Sequence, residues 1–306
     1  ALANALTSRY SLGNVELVDI NNMRTKHKKL TFTKMRGTGN DYLYFDCFDQ
    51  TVESPESLAV RLSNRRTGVG SDGIVLIMPS TIADAKMRMF NADGTEGSVA
   101  GNALRCVCKY LYENGHVRKD EMTVETGSGV KTAKLFIRED QVFSVLVDMG
   151  CPAFAPAKIP VKLDGDRVMM RPVFLAGEKR EISCVSMGNP HVVIFVEDVN
   201  RIPLEQVGPQ IETDSLFPER VNVSFAQIVD KNDIVMRVWE RGIGETAACG
   251  TGACAVAVAA VENGFCTRGA DIDVRLPGGT LVVRYQEDGK VWLTGDANTD
   301  FTGTIE

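Results

Sequence analysis

Two stretches decide how this chain folds: MRMFNADGTEGSVAGNALRCVCKYLYENG, residues 87–115, and MRVWERGIGETAACGTGACAVAVAAVENG, residues 236–264. Set one under the other, they align without a gap at an offset of 149 (236 − 87), and eight of the 29 positions are identical. Ordinary residue usage predicts roughly two. GTGNDYLYFDCFD (37–49) falls on SMGNPHVVIFVED (186–198) at the same offset, placing Gly39-Asn40 on Gly188-Asn189. GSDGIVLI (70–77) falls on ERVNVSFA (219–226), and near the ends VETGSG (124–129) meets VRLPGG (274–279) one residue out of register. One offset in separated places marks an internal repeat. We read two homologous halves, 31–148 and 149–306, facing each other across a cleft, with the last strand able to pack back on the first half.

Each half reads as three strands, one helix and then more strands. LYFDCF, GIVLIM, KMRMF, TAKLFI and FSVLVDM have the β-branched and aromatic character of strands, as do HVVIFV, VNVSFAQI, DIVMRVW and LVVRY. The helices are expected to begin at Gly101 and Gly250. In the first, Val99, Ala103, Leu104, Val107, Cys108 and Leu111 recur at helical spacing. The second, GACAVAVAAV, is apolar all round, as suits a helix buried on every side. Its alternation also fits a strand, but its alanines and the parallel with the first half favour helix. The expected fold is α+β: two pseudo-symmetric domains, each a strand-rich shell around a central helix, with the site between them.

Composition narrows the function. The net charge of −6 disfavours nucleic acid and anionic membranes, which need a basic face. No run of 18 apolar residues offers a membrane span. The eight cysteines include no C-x-x-C pair and there are three histidines, so a metal or haem site has little to stand on. Scattered thiols point to a reducing cytoplasm. Residues 1–30 differ in character, and a start at Met23 would leave 1–22 as an extension or a remnant.

Cys249 is the first candidate for chemistry. It stands in ETAACGTGACA, immediately before the expected second helix. There the helix's positive end and free N–H groups should stabilise the thiolate and lower the thiol's pKa. The phosphate-loop reading of GTG lacks the Walker lysine. The repeat places position 100 opposite Cys249, directly before Gly101. Two helix N-termini converging on one small ligand would hold a carboxylate from both sides. Residues 100 and 249 would then face opposite sides of its α-carbon. Stereoinversion needs that geometry: one group removes the α-proton and another delivers a proton to the far face, while N–H donors hold the enolate-like charge.

MRGTGNDY, RRTGVGSDG, FNADGTE, GNALRC, MGNPH, VNVSF and WERGIGETAACGTGACA together resemble the diaminopimelate epimerase family, from about Phe32 to the C-terminus. The resemblance implies interconversion of LL- and meso-diaminopimelate without pyridoxal phosphate or metal, on a small-molecule amino-acid substrate, and it allows a homodimer. It places Cys249 as the second catalytic thiol. Gly101 with Asn102, and Gly250 with Thr251, become the two carboxylate clamps, and Asn40 a substrate contact. Asn91, Asn189, Asn222, Glu240 and Arg241 become the holders of the distal amino-acid end, with His191 near the site. A second ammonium and carboxylate do call for a charged acceptor, a fork of donors and several amides. Singly, Glu240-Arg241 would read as a surface pair and each asparagine as a turn residue. Their pairing across the repeat, Asn91 with Glu240 and Asn40 with Asn189, argues for a shared site.

The departure lies at the chemistry. The family has cysteine before Gly-Asn in the first half, and this chain has Ala100. A methyl group exchanges no proton, and Cys106 and Cys108 stand more than a helical turn further in. Ala103 replaces a frequent second glycine, and Gly73 stands where some relatives carry a longer side chain. The expectation is an epimerase inactivated at position 100 by a cysteine-to-alanine change. Two alternatives stand beside it: a natural amino-acid-binding paralogue limited to binding or one-base chemistry, and a racemase of another amino acid.

Overall fold

In the computed structural model of the chain, residues 29–97 and 101–306 are described. Ala100, Val99 and residues 1–28, the bulk of the segment read as an extension, lie outside them. The offset of 149 returns as hydrogen-bond register. β1 (Leu30–Gly37) and β2 (Asn40–Asp46) form a hairpin; β3 (Gly73–Met78) runs parallel to β2, and β4 (Ala85–Asn91) returns antiparallel. The short β5 (Glu96–Gly97) folds back on β4, and β6 (Glu121–Thr126) runs parallel to β4. β7 (Gly129–Arg138) and β8 (Gln141–Asp148) complete an antiparallel run.

The same plan then repeats. β10 (Glu178–Ser186), flanked by β9 (Arg171–Leu175), forms a hairpin with β11 (Pro190–Phe195), which pairs parallel with β12 (Asn222–Asp230); β13 (Asp233–Glu240) returns antiparallel. β14 (Gly244–Thr246), β15 (Asp271–Leu276), β16 (Gly279–Tyr285) and β17 (Val291–Gly295) take the places of β5 to β8. Tyr42 pairs with Gly73 and His191 with Asn222, so both partners move by 149 (191 − 42 and 222 − 73). The two runs are stitched together. β17 pairs antiparallel with β8, Leu293 opposite Val147, and β18 (Asn298–Ile305) pairs with β1, Ile305 opposite Leu30.

Four α-helices are described: α1 (Pro55–Ser63), α2 (Gly101–Glu113), α3 (Leu204–Glu212) and α4 (Gly250–Glu262). α2 and α4 are the expected central helices, and AVAVAAV is helical. Every residue of α4 from Gly252 to Ala260 is buried. Its side chains are small, which lets the strands of the second run close around it. α2 buries Leu104, Val107, Cys108 and Leu111 but also Arg105 and Lys109. α1 and α3 were not expected. They also stand 149 residues apart (204 − 55), each in the crossover that a parallel strand pair requires. Among the described residues no helix is long and apolar enough to cross a membrane.

The first residues of α2 and α4 meet at one side chain. A Cβ placed on Gly101 would lie 3.5 Å from Leu293 Cδ2, and one on Gly250 only 3.3 Å from the same atom. Leu293 is fully buried on β17. It is therefore the spacer that sets how closely the two helix ends approach. Leu293→Ala should lower stability by about 2–5 kcal/mol, whereas Leu293→Met should cost less than about 1.5 kcal/mol because volume is kept. Urea unfolding of both variants tests this; equal losses would deny Leu293 the role of spacer.

Candidate active site

A cavity of about 1080 Å³ opens where α2 and α4 meet. One wall comes from the first run and includes Asn40, Asp72, Asn91, Gly101 and Asn102. The other includes Asn189, Glu240, Cys249, Gly250 and Thr251. These walls unite residues from turns and helix starts far apart in sequence. Position 100 precedes Gly101 directly, and nothing is described of its side chain.

Cys249 is the N-cap of α4. Its Sγ accepts from the Gly252 N–H at 3.4 Å and lies 3.6 Å from Thr251 Oγ1. A Cβ on Gly252 would stand 3.2 Å from Sγ, so glycine leaves the thiol its room. The sequence led us to expect a lowered pKa, and the structure corrects this. Burial pushes the Cys249 thiol well above its ordinary value, and the Glu240 carboxylate adds to the rise. The Thr251 hydroxyl and Gly252 N–H pull the other way and lose. At neutral pH Cys249 rests as a thiol. Glu240 is itself pushed upward by burial, against the Thr246 hydroxyl that donates to Oε1 at 2.5 Å and the Cys249 thiol.

The first wall is tied by a string of side chains. Arg105 Nη1 donates to Asn102 Oδ1 (2.9 Å), Asn102 Nδ2 to Asn40 Oδ1 (2.7 Å), and Asn40 Nδ2 to Asp72 Oδ2 (3.0 Å). Arg65 closes the string on the carboxylates of Asp41 and Asp72 at 2.6 and 2.9 Å. The second wall has a neutral counterpart. His191 Nε2 meets Asn189 Oδ1 at 2.9 Å, and Asn189 Nδ2 donates to Thr251 Oγ1 at 3.2 Å. Burial, with the nearby Arg241 charge, pushes the fully buried His191 down to about 3. The acceptor on Asn189 assigns the proton to Nε2.

Not every expected residue reaches the cavity. Asn91 lines it, its amide turned to Thr95 Oγ1 at 3.0 Å. Asn222 and Arg241 stand behind the lining: Asn222 Oδ1 takes the Arg241 backbone N–H at 2.9 Å, and Arg241 Nη1 donates to the Glu219 carbonyl at 3.0 Å. Asp72, Arg65 and Thr246 line the cavity and were overlooked. The stretch RRTGVGSDG held the signal for the first two, and only its Gly73 was singled out. A Cβ on Gly73 would fall 2.1 Å from the Phe90 carbonyl oxygen, so this backbone admits no side chain there.

The comparisons with known proteins agree with one another. The family profile described as Diaminopimelate epimerase matches residues 32–155 and 183–299, a segment in each run. The chain belongs to the diaminopimelate epimerase family. It is 48% identical to a diaminopimelate epimerase of Acetivibrio thermocellus over 90% of this chain and 99% of the relative. With that of Desulfovibrio desulfuricans it shares 50% over 90% and 97%. A Bacillus anthracis phenazine biosynthesis protein of the PhzF family shares the fold, with TM-score 0.66 and 18% identity over 91% of this chain and 99% of that one. The matched segments cover the strands and turns that carry both walls.

His191 makes the site sensitive to acid. Its pKa is about 3 in the fold and 6.5 when unperturbed. Between these values the unfolded chain binds the extra proton, so stability rises with pH across this window and is lost as pH falls through it. One such group sets a slope of up to about 1.4 kcal/mol per pH unit. His191→Gln should remove nearly one proton's worth of that slope between about pH 4 and 6. Urea unfolding at a series of pH values measures it, and an unchanged slope would show that His191 is not held neutral.

Proposed function

We propose that this scaffold interconverts LL- and meso-diaminopimelate by moving protons on the two faces of an α-carbon, and that Ala100 blocks the reaction in this chain. One observation carries the reading: two helix N-termini meet in one cavity, with a buried thiol on one of them and its repeat position on the other. The substrate's α-carboxylate sits between the N–H groups around Gly101, Asn102, Gly250 and Thr251. Removing the α-proton pushes charge onto that carboxylate, and preorganised donors hold it without reorganising. Glu240 takes the proton of the Cys249 thiol, and the thiolate then removes the α-proton, leaving the C–H electron pair on the carbanion until a proton returns. Inversion needs a second proton carrier on the far face, which a methyl group does not supply.

Glu240 is thus given to Cys249 in addition to the distal head group. Asn91, Asn189 and the Arg241 loop remain for that head group, with Asn222 fixing the Arg241 backbone and the guanidinium leaving the Glu219 carbonyl to meet a carboxylate. Residues 31–148 and 149–306 are the two halves, the last strands completing the first. Eight free thiols fit a reducing cytoplasm. Ala100 itself favours one other reading, a non-catalytic binder of the same amino acid.

Ala100→Cys decides between them. The present chain should bind diaminopimelate and exchange its α-proton on one face slowly, with no inversion by chiral chromatography. Ala100→Cys should switch epimerisation on, and Cys249→Ser in that background should remove at least about 100-fold of the rate. A folded Ala100→Cys protein that binds diaminopimelate and never inverts it would make the binder the better account. In calorimetry, diaminopimelate should be preferred over alanine, lysine and glutamate, and Arg241→Ala should weaken it by about 2–5 kcal/mol. Equal binding of the monofunctional amino acids would overturn the assignment of a distal site.

A further inference from the structure

Arg105 lies one turn into α2 with none of its side chain exposed. A guanidinium so placed normally has a carboxylate against it. Here the hydrogen bonds go to neutral oxygens: Nε to the Asp296 carbonyl (3.0 Å), Nη1 to Asn102 Oδ1 (2.9 Å) and Nη2 to Thr38 Oγ1 (2.8 Å). The Asp296 carboxylate takes the Thr38 N–H and hydroxyl instead, at 2.9 and 2.6 Å. The slot is built for this side chain. A Cβ on Gly295 would lie 2.6 Å from Arg105 Cζ, and one on Gly37 only 3.4 Å from Nη2. Thr38, a β-branched residue, is held at a φ of 43° in the left-handed region to complete it. The repeat has no equal: position 254 (105 + 149) is Cys254, small and fully buried.

Donor and acceptor chemistry shows what this achieves. A guanidinium only donates, so it dictates which end of the Asn102 amide faces it. A carboxylate only accepts, so Asp72 dictates which end of the Asn40 amide faces it. The two asparagines, hydrogen-bonded to each other, are therefore locked from both sides. We propose that Arg105 is a positioning residue that orients Asn102, and through it Asn40, for a bound α-carboxylate, and that its charge strengthens the anion-holding end of α2. This rests on the reading of the cavity as an amino-acid site. The competing role is a strut between the β1–β2 turn and the Gly295–Asp296 corner.

The test is calorimetry with meso-diaminopimelate on the chain and on Arg105→Gln, Arg105→Lys, Asn102→Ala and the Arg105→Gln/Asn102→Ala pair. Arg105→Gln should weaken binding by about 10- to 100-fold, the range for a charged hydrogen bond. Arg105→Lys, still a cation that only donates, should recover part of it. With Asn102 already replaced, Arg105→Gln should cost less than about threefold, because coupled groups are not additive. Equal losses in Gln and Lys, additive with Asn102→Ala, would leave Arg105 a strut and overturn the proposal. A second measurement needs neither folding of the Gln variant nor a ligand. In the unaltered chain the side-chain amide protons of Asn40 and Asn102, followed by NMR, should exchange with solvent far more slowly than those of a free amide, and free-amide exchange rates would also overturn it. If the chain binds no diaminopimelate, the proposed function fails, and the NMR result still decides the locking of the amides.

Discussion

Two helices that bring their N-termini together place like partial charges and unpaired N–H groups face to face. Alone, such ends repel and demand solvent or an anion. Here Gly101 and Gly250 share one Leu293 methyl, so the approach is imposed by the rest of the molecule. The β8–β17 pairing carries Leu293 into place, and the strand shells around α2 and α4 hold the helices from behind. The product is a seat for a negative group that exists before any ligand arrives. It depends on backbone and packing, not on which side chains stand at positions 100 and 249.

The repeat has been used asymmetrically. The first wall is ordered by full charges, Arg105 at one end and Asp72 with Arg65 at the other. The second is ordered by a neutral imidazole that burial keeps from protonating. Equivalent backbone positions carry Tyr42 and His191, Gly73 and Asn222, Asn91 and Glu240. One wall is thus ordered by fixed charge and the other by neutral groups, with the titratable Glu240 and Cys249 beside them. That division suits a cavity whose ligand must be gripped at one place and altered at another.

Much of this was legible in the chain itself, and the failures have physical causes. The gapless offset revealed both runs, and the all-apolar α4 and the spacing in α2 revealed the central helices. α1 and α3 escaped because each is only nine residues long, and α3 contains Pro209, which argues against a helix until its crossover role is known. The last strand was expected to return to the first half, but its extent was not legible, because NTDFTGTI is mostly exposed and shows no apolar alternation. In the site, the asparagines were legible through the family resemblance, with the repeat supporting Asn40, Asn91 and Asn189. The Cys249 thiol was misread because a helix end was weighed and desolvation was not. Arg105 was invisible since a mid-helix arginine reads as surface, and only the glycines at 37 and 295, distant in sequence, make room for it inside.

The closing strand has a consequence during synthesis. Leu30 finds its partner in Ile305, 275 residues later (305 − 30). The first half therefore emerges from the ribosome with one edge of β1 unpaired and waits for the whole second half before it can be covered. Contacts of such separation slow folding and leave a strand edge open to the wrong partner. A nascent chain stalled short of β18 would present that edge to its neighbours, so premature termination threatens aggregation as much as loss of activity. Each run has its own helix and core, yet the edge of the first is closed only by the last strand of the second.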